Sequence, residues 1–347
     1  MSIFYIGLVI SYLTLLIDRL YRKDNEKISI VAIIVVIILL SIISGSRTEF
    51  VDTRAYIHLY KYIDNINIFN DSYEFGFIII FKILHKLSKN PQFMLFATAF
   101  ITNSLLLITL RRYSKGCYSE LIIYMYITGG TFISSMNGMR QYLAAAVLFY
   151  FTYLIEKKSM YKYIFVCLLC STIHISSLIM IPVYFLVNIK AFSKKTIIVI
   201  LFSVVFIIFF YPIINFLYGV IGGKFSQYKS FNEGGANFIR ILVECVPLVL
   251  AFIYRKLFDR NKFNVDLFIN MSLLNSLIMI VSLYNWIFAR FAIYLGLYNL
   301  ILLPYIIKSL VCKRERKIIY YLFLVFYFIF FYYESIVSNI KYIGLFN

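Results

Sequence analysis

The apolar positions of this chain fall into long, nearly unbroken runs, unlike the single stripe of an amphipathic soluble helix or the alternation of a half-buried strand. The runs cover approximately residues 2 to 18, 28 to 45, 91 to 110, 119 to 136, 139 to 155, 160 to 174, 175 to 189, 195 to 218, 238 to 254, 264 to 283, 288 to 308 and 317 to 337. Each reaches or approaches the roughly 17 to 25 residues that a helix needs to cross a bilayer. The pattern predicts an all-α, polytopic integral membrane protein of twelve transmembrane helices, with no soluble domain. Residues 1 to 347 read as a single transmembrane helical domain. A shorter stretch, FGFIIIFKILHKL at 75 to 87, is interrupted by Lys82 and His85. It reads as a thirteenth span or as a re-entrant or interfacial helix.

The polar segments between the runs decide the orientation. DRLYRKDNEK, RRYSK, EKKSMYK, KAFSKK, YRKLFDRNK and KSLVCKRERK hold 22 of the 34 lysines and arginines. If residues 75 to 87 do not cross, all six lie on one side, which the positive-inside rule makes cytoplasmic. Counting that stretch as a span would put RRYSK beside the acidic loop 46 to 74. The charges therefore select twelve spans with both termini outside, and outer loops at about 46 to 90 and 219 to 237. They also absorb most of the net charge of +18, so nucleic acid is not an expected partner. The first run, IFYIGLVISYLTLLI, lacks a basic leader and is read as the first span, not a cleavable signal.

Composition agrees with this reading: 62% of residues are hydrophobic and 14% charged, where soluble domains carry about a quarter charged residues. Cys167 and Cys170 in CLLC lie inside an apolar run with no second pair, which reads as packing. The outer face has no Asp-x-Asp pair and there is no His-x-Glu spacing, and CLLC stands alone without a second pair or nearby ligands, so no metal is expected. GVIGGKFSQ has Phe225 where a phosphate-binding loop needs Ser or Thr. No cofactor is expected either. Four of the five prolines, Pro182, Pro212, Pro247 and Pro304, lie in or near spans, a weak signal for broken helices.

With this orientation, Arg47, Asp52, Arg54, Tyr56, Glu74, Arg140, Gln141, His174, Arg240 and Arg290 all lie at or near outer ends of spans. Each has a plain structural explanation. Arg140 can snorkel or pair with a structural carboxylate, although Ala144, Ala145 and Ala146 behind it allow close helix approach. His174 can bond a carbonyl at a chain reversal, or take a proton near neutral pH. Arg290 has Tyr294 at i+4 on its own face. Asp52 and Tyr56 share a face if helical, as they would on a solvated surface helix. His58 and His85 are unassigned. Taken together, Arg47, Arg140 and Arg290 with His174, Asp52 and Glu74 on one side suit an amphiphile carrying a diphosphate. Guanidinium forks match phosphate oxygens, a departing diphosphate needs its charge stabilised, and a histidine or carboxylate can deprotonate an incoming hydroxyl. That chemistry is metal-independent glycosyl transfer from a polyprenyl-diphosphate sugar.

The stretches SGSRTEFVDTRAYIHLY, YEFGFIIIFKIL, GMRQYLAAAVLFYFTYLIEKKSMYKYIFVCLLCSTIHISSLIMIPVYFL and ARFAIYLGLY resemble, in order, the EpsG family of exopolysaccharide-assembly membrane proteins. That family is related to the Wzy-type polymerases of O-antigen and capsule. The resemblance is sharpest in the Arg-Gln pair followed by His-x-Ser, and departs where Val51 stands in place of a glycine that family members often carry. It implies a polymerase that joins undecaprenyl-diphosphate-linked oligosaccharide repeat units at the outer face of the bacterial cytoplasmic membrane. It implies Arg140 and Arg290, with Arg47 weaker, on the diphosphate, and His174 as base with Asp52 second. Gln141, Tyr56, Tyr294 and Glu74 become sugar or supporting contacts. Its implied partners are the lipid-linked oligosaccharide, the bilayer, a flippase and a chain-length regulator. Two other readings stay open: a flippase, for which Glu244 inside the ninth span would be a pathway residue, and a noncatalytic subunit of an export complex.

Overall fold

A computed structural model describes residues 2–22, 26–69, 73–208, 234–258, 263–337 and 341–345. The glycine-rich stretch 219–227, Pro212 and most of the second predicted outer loop lie outside the described residues. The described chain is almost wholly helical: α1 Ser2–Tyr21, α2 Ile30–Gly45, α3 Thr53–Lys61, α4 Phe75–Leu87, α5 Pro91–Tyr113, α6 Ser119–Thr128, α7 Thr131–Asn137, α8 Met139–Tyr150, α9 Thr152–Glu156, α10 Met160–Ser171, α11 Met180–Val187, α12 Lys194–Ile208, α13 Phe238–Ile253, α14 Val265–Val281, α15 Ala289–Gly296, α16 Asn299–Ser309 and α17 Lys313–Val337. One small antiparallel pair interrupts this, β1 (Arg47–Glu49) with β2 (Ile343–Gly344), Arg47 lying opposite Gly344.

Among the described residues the apolar runs fold as helices of unequal length. Among the described residues, Ser2–Tyr21, Pro91–Tyr113 and Lys313–Val337 are each long and apolar enough to cross a membrane. Trp286–Gly296 with Asn299–Ser309 adds a fourth if the pair, bent by 56°, is one span. Ile30–Gly45, Met160–Ser171, Ile175–Val187 and Val265–Val281 are shorter apolar helices. The predicted run 119 to 136 breaks at Gly129–Gly130, where Gly130 adopts φ 81°, a left-handed conformation that is cheap only without a Cβ. Residues 75 to 87 form a single 13-residue helix of about 20 Å, short of the roughly 30 Å hydrocarbon layer.

The chain packs as two compact units, residues 1–180 with 303–347, and 181–302. In the first unit, α1, α6 and α17 are joined by a buried polar knot. The Glu120 carboxylate accepts from Arg19 Nε at 2.8 Å and from Tyr320 O–H at 2.9 Å, and the Tyr12 and Tyr320 hydroxyls lie 2.8 Å apart. Gly45 lets α2 approach α5, since a Cβ there would come within 2.6 Å of Phe96. Tyr60, Phe77, Phe81, Met94, Leu95 and Met139 close a core that joins α3, α4 and α5 to the start of α8. Ile6, Val9, Leu13 and Ile17 of α1 and Leu322, Val325 and Ile329 of α17 stay exposed, the apolar outer faces that lipid covers. In the second unit, Asn270 of α14 donates to the carbonyls of Val187 and Ile189 at 3.1 and 2.7 Å.

Candidate functional site

In the first unit the start of α4, the start of α8 and the turn after α10 meet. Gly76 makes this approach possible, because a Cβ there would lie 2.2 Å from Thr172 Oγ1 and 2.8 Å from its carbonyl oxygen. Phe77 N–H then donates to Thr172 O at 3.2 Å. The contact sets Glu74, which precedes α4, between two partners. One carboxylate oxygen accepts from Arg140 Nη1 at 2.7 Å and the other from Ile175 N–H at 3.1 Å.

Arg140, first turn of α8, therefore has the structural carboxylate that its position in a membrane helix demands. Both side chains stay partly open, 23% and 21% exposed. Aromatic faces flank the guanidinium, the Tyr73 ring centroid at 4.9 Å and that of Phe77 at 5.4 Å, within cation–π range. Its Nε is buried with no hydrogen-bond partner among the described residues. The Tyr56 phenol lies within the electrostatic reach of Arg140. Burial pushes the Tyr56 phenol up, and the Arg140 charge opposes that shift.

His174 caps the 3-10 turn Ile175–Ile179. Its Nδ1 lies 2.7 Å from Ser176 Oγ and 3.4 Å from Ser176 N–H, and Gln141 Nε2 donates to Ser176 Oγ at 3.3 Å. Two tautomers fit this geometry. With the proton on Nε2, Nδ1 accepts from both Ser176 donors. With the proton on Nδ1, the imidazole donates to Ser176 Oγ, gives up only the long amide contact, and presents a lone pair at Nε2.

Glu74, Tyr56, Arg140, Gln141 and His174 are thus brought together, and the others are placed elsewhere. Asp52 is exposed and precedes α3 without a side-chain capping bond; its charge is felt at Tyr56, one turn on. Arg47 is 1% exposed. Its Nε donates to Thr53 Oγ1 at 3.1 Å, its Nη1 to the carbonyl and hydroxyl of Ser44, and its Nη2 meets Met139 Sδ at 3.7 Å. Burial pulls its pKa down to about 10, so it remains a cation at neutral pH. This guanidinium binds β1, α2 and α3 to the residue before Arg140, and has no face open to a ligand.

In the second unit, Arg290 is exposed at the start of α15, its guanidinium carbon 4.7 Å over the Trp286 ring. Trp286 Nε1 is buried without a hydrogen-bond partner among the described residues. Tyr294 is 1% exposed, so the i+4 pair divides, arginine outward and tyrosine inward. Tyr73 and Phe77 went unrecognised in the sequence, and Ser176 entered only as the serine of the His-x-Ser motif, with no role given to it. Ser176 had a local signal, a hydroxyl two residues beyond a histidine at a chain reversal, whereas Phe77 looked like one more apolar residue.

These features define a class: a helical, multi-pass membrane protein with arginine, carboxylate and imidazole gathered at one set of helix ends. The EpsG family model matches residues 2–347, and the chain belongs to that family, related to the Wzy-type polysaccharide polymerases. No curated protein and no solved structure matches the chain. It is an exopolysaccharide-related membrane protein.

Proposed function

We propose that this protein is a polysaccharide polymerase, joining undecaprenyl-diphosphate-linked oligosaccharide repeats by metal-independent glycosyl transfer at the outer face of the bacterial cytoplasmic membrane, within a twelve-span topology. The observation that carries this reading is the Glu74–Arg140 pair set against the His174 turn, in a chain whose whole length matches the EpsG family. A sugar hydroxyl of the incoming unit attacks the anomeric carbon of the growing chain. The bond to the diphosphate breaks, and the lipid diphosphate leaves with the electron pair. The hydroxyl proton passes to His174 Nε2, in the tautomer whose Nδ1–H donates to Ser176 Oγ; Asp52 is the second candidate for that role.

Glu74 holds the Arg140 fork by one terminal nitrogen, and the fork's open edge takes phosphate oxygens. Arg290, stacked on Trp286, is the other proposed ligand of diphosphate oxygens. Gln141 and Tyr56 support the histidine and the arginine, and Tyr294 supports the helix that carries Arg290. Arg47 acts beneath the site as a positioning residue.

The test is in cells that carry Arg140→Gln or His174→Ala at normal protein levels. They should accumulate single lipid-linked repeats whose sugar is open to periodate from outside. Accumulation of repeats shielded from external periodate would replace this reading with flipping. Unchanged polymer length in both strains would point to a noncatalytic subunit.

A further inference from the structure

A second polar site lies within the second unit, where α13, α14 and α16 meet around the Glu244 carboxylate. Glu244 sits six residues into α13, about 9 Å from the helix start, at a depth where an ionisable side chain marks a substrate or ion route. Its Oε2 accepts from Asn275 Nδ2 of α14 at 2.8 Å and from Asn299 Nδ2 of α16 at 3.3 Å. Both asparagines are buried, Asn275 at 0% and Asn299 at 4% exposure. With their amide hydrogens turned to the carboxylate, the Oδ1 atoms of both are buried with no hydrogen-bond partner among the described residues. Buried carbonyls are rarely left so.

Gly296 shows where a partner fits. A Cβ built on it would meet Asn275 Oδ1 and Glu244 Oε2, each at 3.5 Å. The missing side chain therefore leaves a space that an orphaned carbonyl and a carboxylate share, beside a glycine that is only half-buried. Atoms that can only accept repel a phosphate and select a group that brings hydrogens of its own. One hydroxyl satisfies the Asn275 carbonyl, and its neighbour adds a donor to a carboxylate oxygen that already accepts from both asparagines.

We infer that Glu244, Asn275, Asn299 and Gly296 form a saccharide subsite that takes vicinal hydroxyls of the repeat unit. This rests on the polymerase reading for the identity of the ligand, because in a lipid-diphosphate-linked saccharide only the sugar carries hydroxyl donors.

The experiment uses the full-length protein in detergent. Its probes are the lipid-free oligosaccharide released from the host's exopolysaccharide by partial acid hydrolysis, followed by saturation-transfer NMR titration, and inorganic diphosphate, followed by phosphorus-31 NMR titration. Gly296→Ala puts a methyl in the shared space at ordinary contact distance, so it should melt like the wild type. It should weaken the oligosaccharide at least tenfold and leave diphosphate affinity unchanged; Asn275→Leu should act alike. Three results would overturn the inference: no oligosaccharide binding by the wild type, equal affinity in both variants, or a sodium-dependent rise in melting temperature abolished by Gly296→Ala, which would make this a cation site. The polymerase reading fails separately, if diphosphate affinity is indifferent to Arg140→Gln.

Discussion

The glycine absent from position 51 has a cost that the backbone displays. Val51 adopts φ 39° between β1 and α3, a left-handed conformation that a β-branched residue tolerates poorly. Nothing forces a side chain there, since Val51 is 68% exposed. Val51→Gly should therefore stabilise the protein by about 1 kcal/mol, read as a higher melting temperature in detergent. An unchanged or lower value would mean that the turn carries no strain. The sequence carried this clue as a bare departure from a family habit, and only the dihedral turns it into physics. Other residues were legible to different depths. Arg140, Glu74 and His174 stood out because charge and imidazole are rare in apolar runs. Arg47 stood out for the same reason and misled, because a sequence does not tell a guanidinium that faces a ligand from one engaged by Ser44, Thr53 and Met139.

At the scale of elements, the apolar runs announced the helices, since the 3.6-residue repeat needs only local hydrogen bonds and a long apolar stretch in lipid has little else to form. The breaks and crossings were not legible, because they depend on which backbones touch. Gly76 is the clearest case, an ordinary glycine in a short apolar helix until Thr172 is found against it. Gly76→Ala should overpack that crossing, at a cost of about 1–3 kcal/mol. It should also part Glu74 from Ile175 N–H and cut polymer synthesis while the protein still inserts. Wild-type melting and synthesis in that variant would show that the α4 crossing does not position the site. The acceptors around Gly296 were hidden for a similar reason: Asn275 is 31 positions from Glu244 and Asn299 is 55.

For the whole molecule, the basic loops predict orientation independently of any site. Cys312, in KSLVCKRERK, is exposed, and Cys117, Cys167 and Cys170 are buried. A membrane-impermeant maleimide should leave Cys312 unlabelled in intact spheroplasts and label it once the membrane is opened. Labelling in sealed spheroplasts would invert the topology and move the Arg140 cluster to the cytoplasmic side. The central claim, that this chain alone extends a lipid-linked saccharide, is tested most directly by purifying it into liposomes with a synthetic undecaprenyl-diphosphate-linked repeat, without metal or nucleotide. The product should be a ladder rising by whole repeats, lost with His174→Ala. A single unextended band from correctly inserted wild-type protein would contradict the account.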